Sequence, residues 1–173
     1  MPALPLMPAL GTMIATLVLA AHVGVRIGRR AGRERGARAG ALVLLGGAIV
    51  TVMILTWAGL NGPGGGGVNL LPGAGLRAAV ANVNTRLGLI NLLGNVALFV
   101  PIGFLGVLAG WSSSRAIAVA AGVSALIEVV QFVLGRTADI DDVILNAIGG
   151  ALGALTAQAL LRVRRIRTVS APE

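Results

Sequence analysis

Five apolar stretches leave this chain few ways to fold. They cover residues 10–28, 40–60, 88–110, 115–135 and 142–161. Each is close to the ~20 residues that an α-helix needs to cross a bilayer. Between them the chain is short of charge: only 12% of its 173 residues are charged and 56% are hydrophobic. A soluble domain of this length would need more charge to cover its surface. The expectation is an all-α, polytopic membrane helix bundle of five transmembrane helices.

The net charge of +8 raises the question of nucleic acid, and its placement answers it. Arg26, Arg29, Arg30, Arg33, Arg35 and Arg38 separate the first two apolar stretches, and Arg162, Arg164, Arg165 and Arg167 follow the last. Arginine beside membrane spans holds a loop in the cytoplasm, and anionic lipid headgroups supply its counter-charge. No groove-reading motif accompanies the charge, so no nucleic-acid partner is expected. The first stretch has its positive charge after it, the reverse of a secretory signal peptide. With the 29–39 loop, the turn at Arg115 and the tail inside, the arginine bias gives N-out and C-in. The chain then divides into 1–39, a first span with a basic loop; 40–161, the main transmembrane domain; and 162–173, a basic tail.

The remaining composition narrows the chemistry. There is no cysteine and a single histidine, His22. Thiolate and multi-histidine metal sites are therefore out of reach, and neither cofactor nor metal is expected. The outer loop Asn61–Gly75 carries a glycine run, Gly64–Gly67. It lacks the Gly-Lys-Ser/Thr of a phosphate-binding loop and reads as a flexible tether. Residues 76–85 read as a short interfacial helix. The pairs Gly24/Gly28, Gly106/Gly110 and Gly149/Gly153 read as small-residue packing that lets helix backbones approach.

Against this hydrocarbon, the polar residues form stripes. Asn84, Gly88, Asn91 and Asn95 share one face of the third span. Ser124, Glu128 and Gln131 share one face of the fourth, and Asp142, Asn146, Gly149 and Gly153 one face of the fifth. All follow the helical spacing of three and four. With alternating direction, the stripes converge in the outer half, beside Arg136, Asp139 and Asp141. Glu128 is the one acidic residue in the interior of a long apolar stretch, a default pointer to a functional site. Continued helix would put Arg136 two turns above it, about 12 Å away. Pro101 should bend the third span, with Gly103 beside it giving room. The plainer reading of the stripes is interhelical hydrogen bonding worth ~0.6–2 kcal/mol per bond. Asp139 or Asp141 would then cap a helix start.

Three segments carry a resemblance: N-L-L-G-N-V-A-L-F-V-P-I-G-F at 91–104, S-A-L-I-E-V-V-Q at 124–131, and G-R-T-A-D-I-D-D-V-I-L-N-A-I-G-G at 135–150, followed by Gly153. Over 88–155 the chain resembles the VanZ-like family of bacterial membrane proteins. The resemblance implies a multi-pass protein of the cell membrane. It carries over Asn91, Asn95, Pro101, Gly103, Glu128, Gln131, Arg136, Asp139, Asp142 and Asn146. The family's namesake is associated with low-level resistance to the glycopeptide teicoplanin.

Three functions fit. The leading one is a non-catalytic envelope protein with an outward-facing polar pocket formed by Asn91, Asn95, Glu128, Gln131, Arg136, Asp139, Asp142 and Asn146. Its partners would be membrane lipids or a lipid-linked cell-wall precursor, with Arg136 pairing an anionic group. The second is an intramembrane enzyme using Glu128 as acid or base, with Asp139, Asp141 and Asp142 as candidate oxygen ligands for a hard cation. The third is a proton-coupled transporter, for which no inverted repeat is visible.

Overall fold

The computed structural model describes residues 6–58, 66–81 and 85–169. The side chains of 6–10, 12–13, 57–58, 78–80, 85–87, 91 and 167–169 fall outside that description. Six helices account for nearly all of the described chain: α1 (Leu6–Ala31), α2 (Arg33–Ala58), α3 (Ala74–Ala81), α4 (Thr85–Leu108), α5 (Ser113–Val133) and α6 (Ile140–Val169). Four described segments are long and apolar enough to cross a membrane: Arg33–Thr56, Gly88–Leu108, Ser113–Val133 and Ile140–Ile166. The expected first span falls on α1, part of whose side chains lie outside the description. The protein is an all-α membrane helix bundle.

Several boundaries differ from the sequence reading, each for a local reason. The expected 29–39 loop is a single-residue break. Gly32 takes φ +95°, and α2 restarts at Arg33. Arginine is a good helix former, so the polar ends of both apolar stretches stay helical. The same holds for the basic tail, which α6 carries through to Val169. At the other joints glycine stops the helix. Gly110 (φ +96°) ends α4: its N–H donates to the Val107 carbonyl, and Trp111 N–H to the Gly106 carbonyl. Gly135 (φ +82°) ends α5 likewise, with Gly135 N–H to Phe132 and Arg136 N–H to Gln131. Both are the paired-bond termination that favours glycine in the left-handed region. Gly110 is therefore a helix stop rather than the packing partner of Gly106. Arg136 lies past the turn instead of two turns up a continued α5.

α1, α4 and α6 end, and α2 and α5 begin, at one end of the bundle, here the arginine pole. The segments 66–75 and 134–139 close the opposite end, the loop pole. α4 and α6 form the tightest pair, and α1 packs mainly on α2. Glycine makes both contacts possible. A Cβ on Gly149, Gly153 or Gly103 would collide with the carbonyl oxygens of Val96, Val100 and Gly150 respectively. On the other pair, a Cβ on Gly36 would strike the Gly24 carbonyl and the Gly28 backbone. The packing role read for Gly24/Gly28 and Gly149/Gly153 is thus the role they have. The room that Gly103 provides is filled by α6. Pro101 lies inside α4 on its exposed face.

The size distribution is that of a bundle solvated by lipid. Ala20, Ala41, Ala116, Ala120, Ala154 and Ala157 are buried, around a core of Leu45, Val52, Phe99, Ile102 and Ile127. Large side chains such as Leu93, Val129, Val133 and Leu155 point outward. Lipid tails are as apolar as leucine, so burying leucine gains little, and close backbone packing decides what goes inside.

Candidate functional site

The glycine-rich loop is not a free tether where it is described. Gly67–Asn69 forms a strand, β1, that pairs in parallel with β2, Thr137–Asp139, in the register Gly67↔Thr137, Val68↔Ala138 and Asn69↔Asp139. Residues 59–65, with Asn61, Gly64 and Gly65, lie outside the described residues. Beyond β1 the Pro72–Gly73 turn, with Gly73 at φ +81°, leads into α3.

Two aspartates fasten this segment to the start of α6. Asp139 caps α6: one carboxylate oxygen accepts the Asp141 N–H at 2.9 Å. Its other oxygen accepts from the Asn69 amide at 3.1 Å. Asp141, buried, turns away from its own helix and accepts the N–H groups of Gly73 at 2.6 Å and Gly75 at 2.7 Å. It therefore caps α3. One of the two cap roles read for these residues stands as expected, while Asp141 caps a helix more than sixty residues earlier in sequence. Both oxygens of each aspartate therefore accept a hydrogen bond from the fold itself. Among the described residues no group of three His, Cys, Asp or Glu side chains could hold a metal.

Below this latch lies the converging polar set. Glu128, buried on α5, accepts the Asp139 N–H at 2.7 Å. Asn95 of α4 donates to Asp142 of α6. Asn146, one turn deeper on α6, donates its amide to the Ser124 hydroxyl at 2.7 Å. The stripes of α4, α5 and α6 thus face one another. Gln131 and Arg136 are half-buried at the rim. The charges of Arg136, Asp139 and Asp142 act on Glu128, and those of Arg136, Asp139 and Asp141 act on Asp142. Arg136 is the one cation in that group. Asn84 and the Asn91 side chain lie outside the described residues.

One polar atom stands apart. The Asn146 carbonyl oxygen is buried and has no hydrogen-bond partner. A buried acceptor left unpaired costs about 1–3 kcal/mol, and such atoms call for a specific explanation. Chemically, the cluster offers a buried acceptor at Asn146, carboxylates at Glu128 and Asp142, and a cation at Arg136.

The sequence reading set Asp141 beside the stripes, as a cap or an oxygen ligand, but left out its partners Gly73 and Gly75 and the Asp139 partner Asn69. Pro72–Gly73 was the only local signal, a turn dipeptide before an octet that is apolar except for Arg77. The partners lie 66–70 residues away, beyond the reach of any periodicity. Ser124 was visible in its stripe but not as the partner of Asn146.

No curated protein and no solved structure matches the chain. The family model VanZ/LLP1 does match, over residues 42–162. This is wider than the 88–155 resemblance. It takes in α2 from residue 42 on, the glycine-rich loop and α3, in keeping with a loop fastened to the α6 start. With most of its length matched, from the second helix to the end of the last apolar stretch, the chain belongs to the VanZ/LLP1 family.

Proposed function

We propose that this protein is a non-catalytic, multi-pass protein of the cell membrane that binds an anionic or lipid-linked envelope ligand at its loop pole. The observation that carries this reading is the buried, unpartnered Asn146 carbonyl oxygen at the meeting point of three polar helix faces. A sugar hydroxyl or amide N–H of a ligand would satisfy it. Arg136 would pair the ligand's phosphate, for which the guanidinium fork is suited. Asn91, Asn95 and Gln131 would serve its polar groups, with Glu128 and Asp142 as acceptors and Asp139 holding the rim in place. By the arginine bias this pole faces outward, where cell-wall precursors and glycopeptides such as teicoplanin meet.

The hydrogen bond from Asp139 N–H to Glu128 favours a positioning role for Glu128 over acid–base chemistry. The test is mass spectrometry of lipids retained after purification in non-ionic detergent. Arg136→Ala should lose a retained anionic or lipid-linked species while the fold persists. Glu128→Gln keeps an acceptor for the Asp139 N–H and should retain it. Unchanged lipid content in Arg136→Ala would overturn the proposal. Turnover of a lipid-linked substrate by wild type, abolished in Glu128→Gln, would replace it with the enzyme reading.

A further inference from the structure

The arginine pole carries an open cavity, a groove of about 1200 Å³, far from the polar cluster. It exceeds the ~300–1,000 Å³ usual for a small-molecule site. Its origin is architectural. α1 packs mainly on α2 and α2 packs on α4, while the α4 and α6 ends pack on each other through Val107, Ala154 and Ala157, so that α1 stands apart from them at this pole. A gap is left between the hairpin and the α4–α6 pair.

The lining has two chemistries. Arg29, Arg33, Arg38, Arg164 and Arg165 contribute five positive charges against the single negative charge of Glu34. The apolar wall includes Leu17, Leu44, Leu105, Leu108 and Leu161. On α1 the lining runs from Leu17 to Arg29, twelve residues or about 18 Å along the axis. A water-soluble anion would leave that wall unused, and a neutral lipid would make no use of the positive charge of Arg29, Arg33 and Arg38. We propose that the cavity holds an anionic phospholipid from the adjoining leaflet, with its phosphate among the arginines and an acyl chain along the leucine wall. Arginine binds phosphate through paired, charge-assisted hydrogen bonds. The lipid would join α1 to α4 and α6, which it otherwise barely meets. This inference does not depend on the reading of the loop pole.

Native mass spectrometry of the full chain in non-ionic detergent tests it, with phosphatidylglycerol, phosphatidylcholine or inorganic phosphate added. Wild type should bind phosphatidylglycerol, bind phosphatidylcholine far more weakly, and gain no thermal stability from inorganic phosphate. Arg29→Gln/Arg33→Gln removes two lining charges beside the Gly32 break. Arg30→Gln/Arg35→Gln removes two charges beside the same break that do not line the cavity. The lining pair should weaken phosphatidylglycerol binding roughly 10- to 30-fold, from ~1 kcal/mol per arginine. The control pair should leave it nearly unchanged. Equal losses in the two double variants would reduce the effect to general surface attraction and overturn the proposal. So would wild-type stabilisation by phosphatidylcholine to the same degree, a result that needs no variant to fold. Arg136→Ala should not alter this binding, which separates its failure from that of the loop-pole site.

Discussion

Asp141→Ala should release the loop pole without unfolding the bundle. The Asp141 carboxylate accepts two N–H groups, from Gly73 at 2.6 Å and Gly75 at 2.7 Å. Each bond to a charged acceptor is worth about 1.5–3 kcal/mol. Freed amides on an opened loop return to water, so the lower end applies, and the pair contributes about 3 kcal/mol. At about 1.4 kcal/mol per factor of ten, local opening becomes roughly a hundredfold more populated. Hydrogen exchange followed by mass spectrometry, on peptides spanning 66–81, reads this opening directly. Asp141→Asn keeps one neutral acceptor and should fall between wild type and Asp141→Ala. Peptides from α4 and α6 should keep their protection in both. Unchanged exchange across 66–81 in Asp141→Ala would refute the idea that this side chain holds the segment.

Two further outcomes follow from packing and from buried polarity. Gly103→Ala or Gly153→Ala drives a methyl into a facing backbone carbonyl and should lower the melting temperature in detergent, at a cost of about 1–3 kcal/mol or more. Gly122→Ala on α5 meets nothing within 4 Å, so it should be neutral or gain up to about 1 kcal/mol of helix propensity. Ser124→Ala strips the Asn146 amide of its acceptor and should cost about 1–3 kcal/mol in thermal unfolding. Ser124→Ala/Asn146→Leu should recover most of it, because removing both partners leaves no unpaired amide.

The spans were readable because hydrocarbon thickness imposes a length on any crossing helix, and the apolar stretches of this chain match it. The stripe Asp142, Asn146, Gly149 and Gly153 was readable for a related reason. Its helical period survives whatever the helix packs against, and its glycines indeed meet the α4 backbone. Helix ends were less legible. Arg29 to Arg38 look like a loop by charge, but arginine is helix-compatible, and only Gly32 interrupts the two helices. The order in residues 66–75 was not legible at all. Their composition is that of a flexible linker, and what fixes them is a pair of aspartates supplied by a distant segment. The same distance hid Asp141, which reads locally as a cap for its own helix. Whether α5 would continue to Arg136 was open in the sequence, and one glycine, Gly135, ends the helix before it.

The pairing of β1 with β2 also sets an order of events during biogenesis. Asn69 and Asp139 are 70 residues apart, so the earlier strand emerges long before its partner exists. At synthesis rates of ~5–20 residues per second, the wait is roughly 4 to 14 seconds. During that interval α4 and α5 must be made, and the 66–75 segment has nothing to hold it. Only when Asp139 and Asp141 arrive with the start of α6 can the loop be captured and Glu128 gain its backbone partner. α6 is therefore the helix that completes this polar cluster, and a chain truncated before Asp139 would contain α1 to α5 yet leave that pole unassembled.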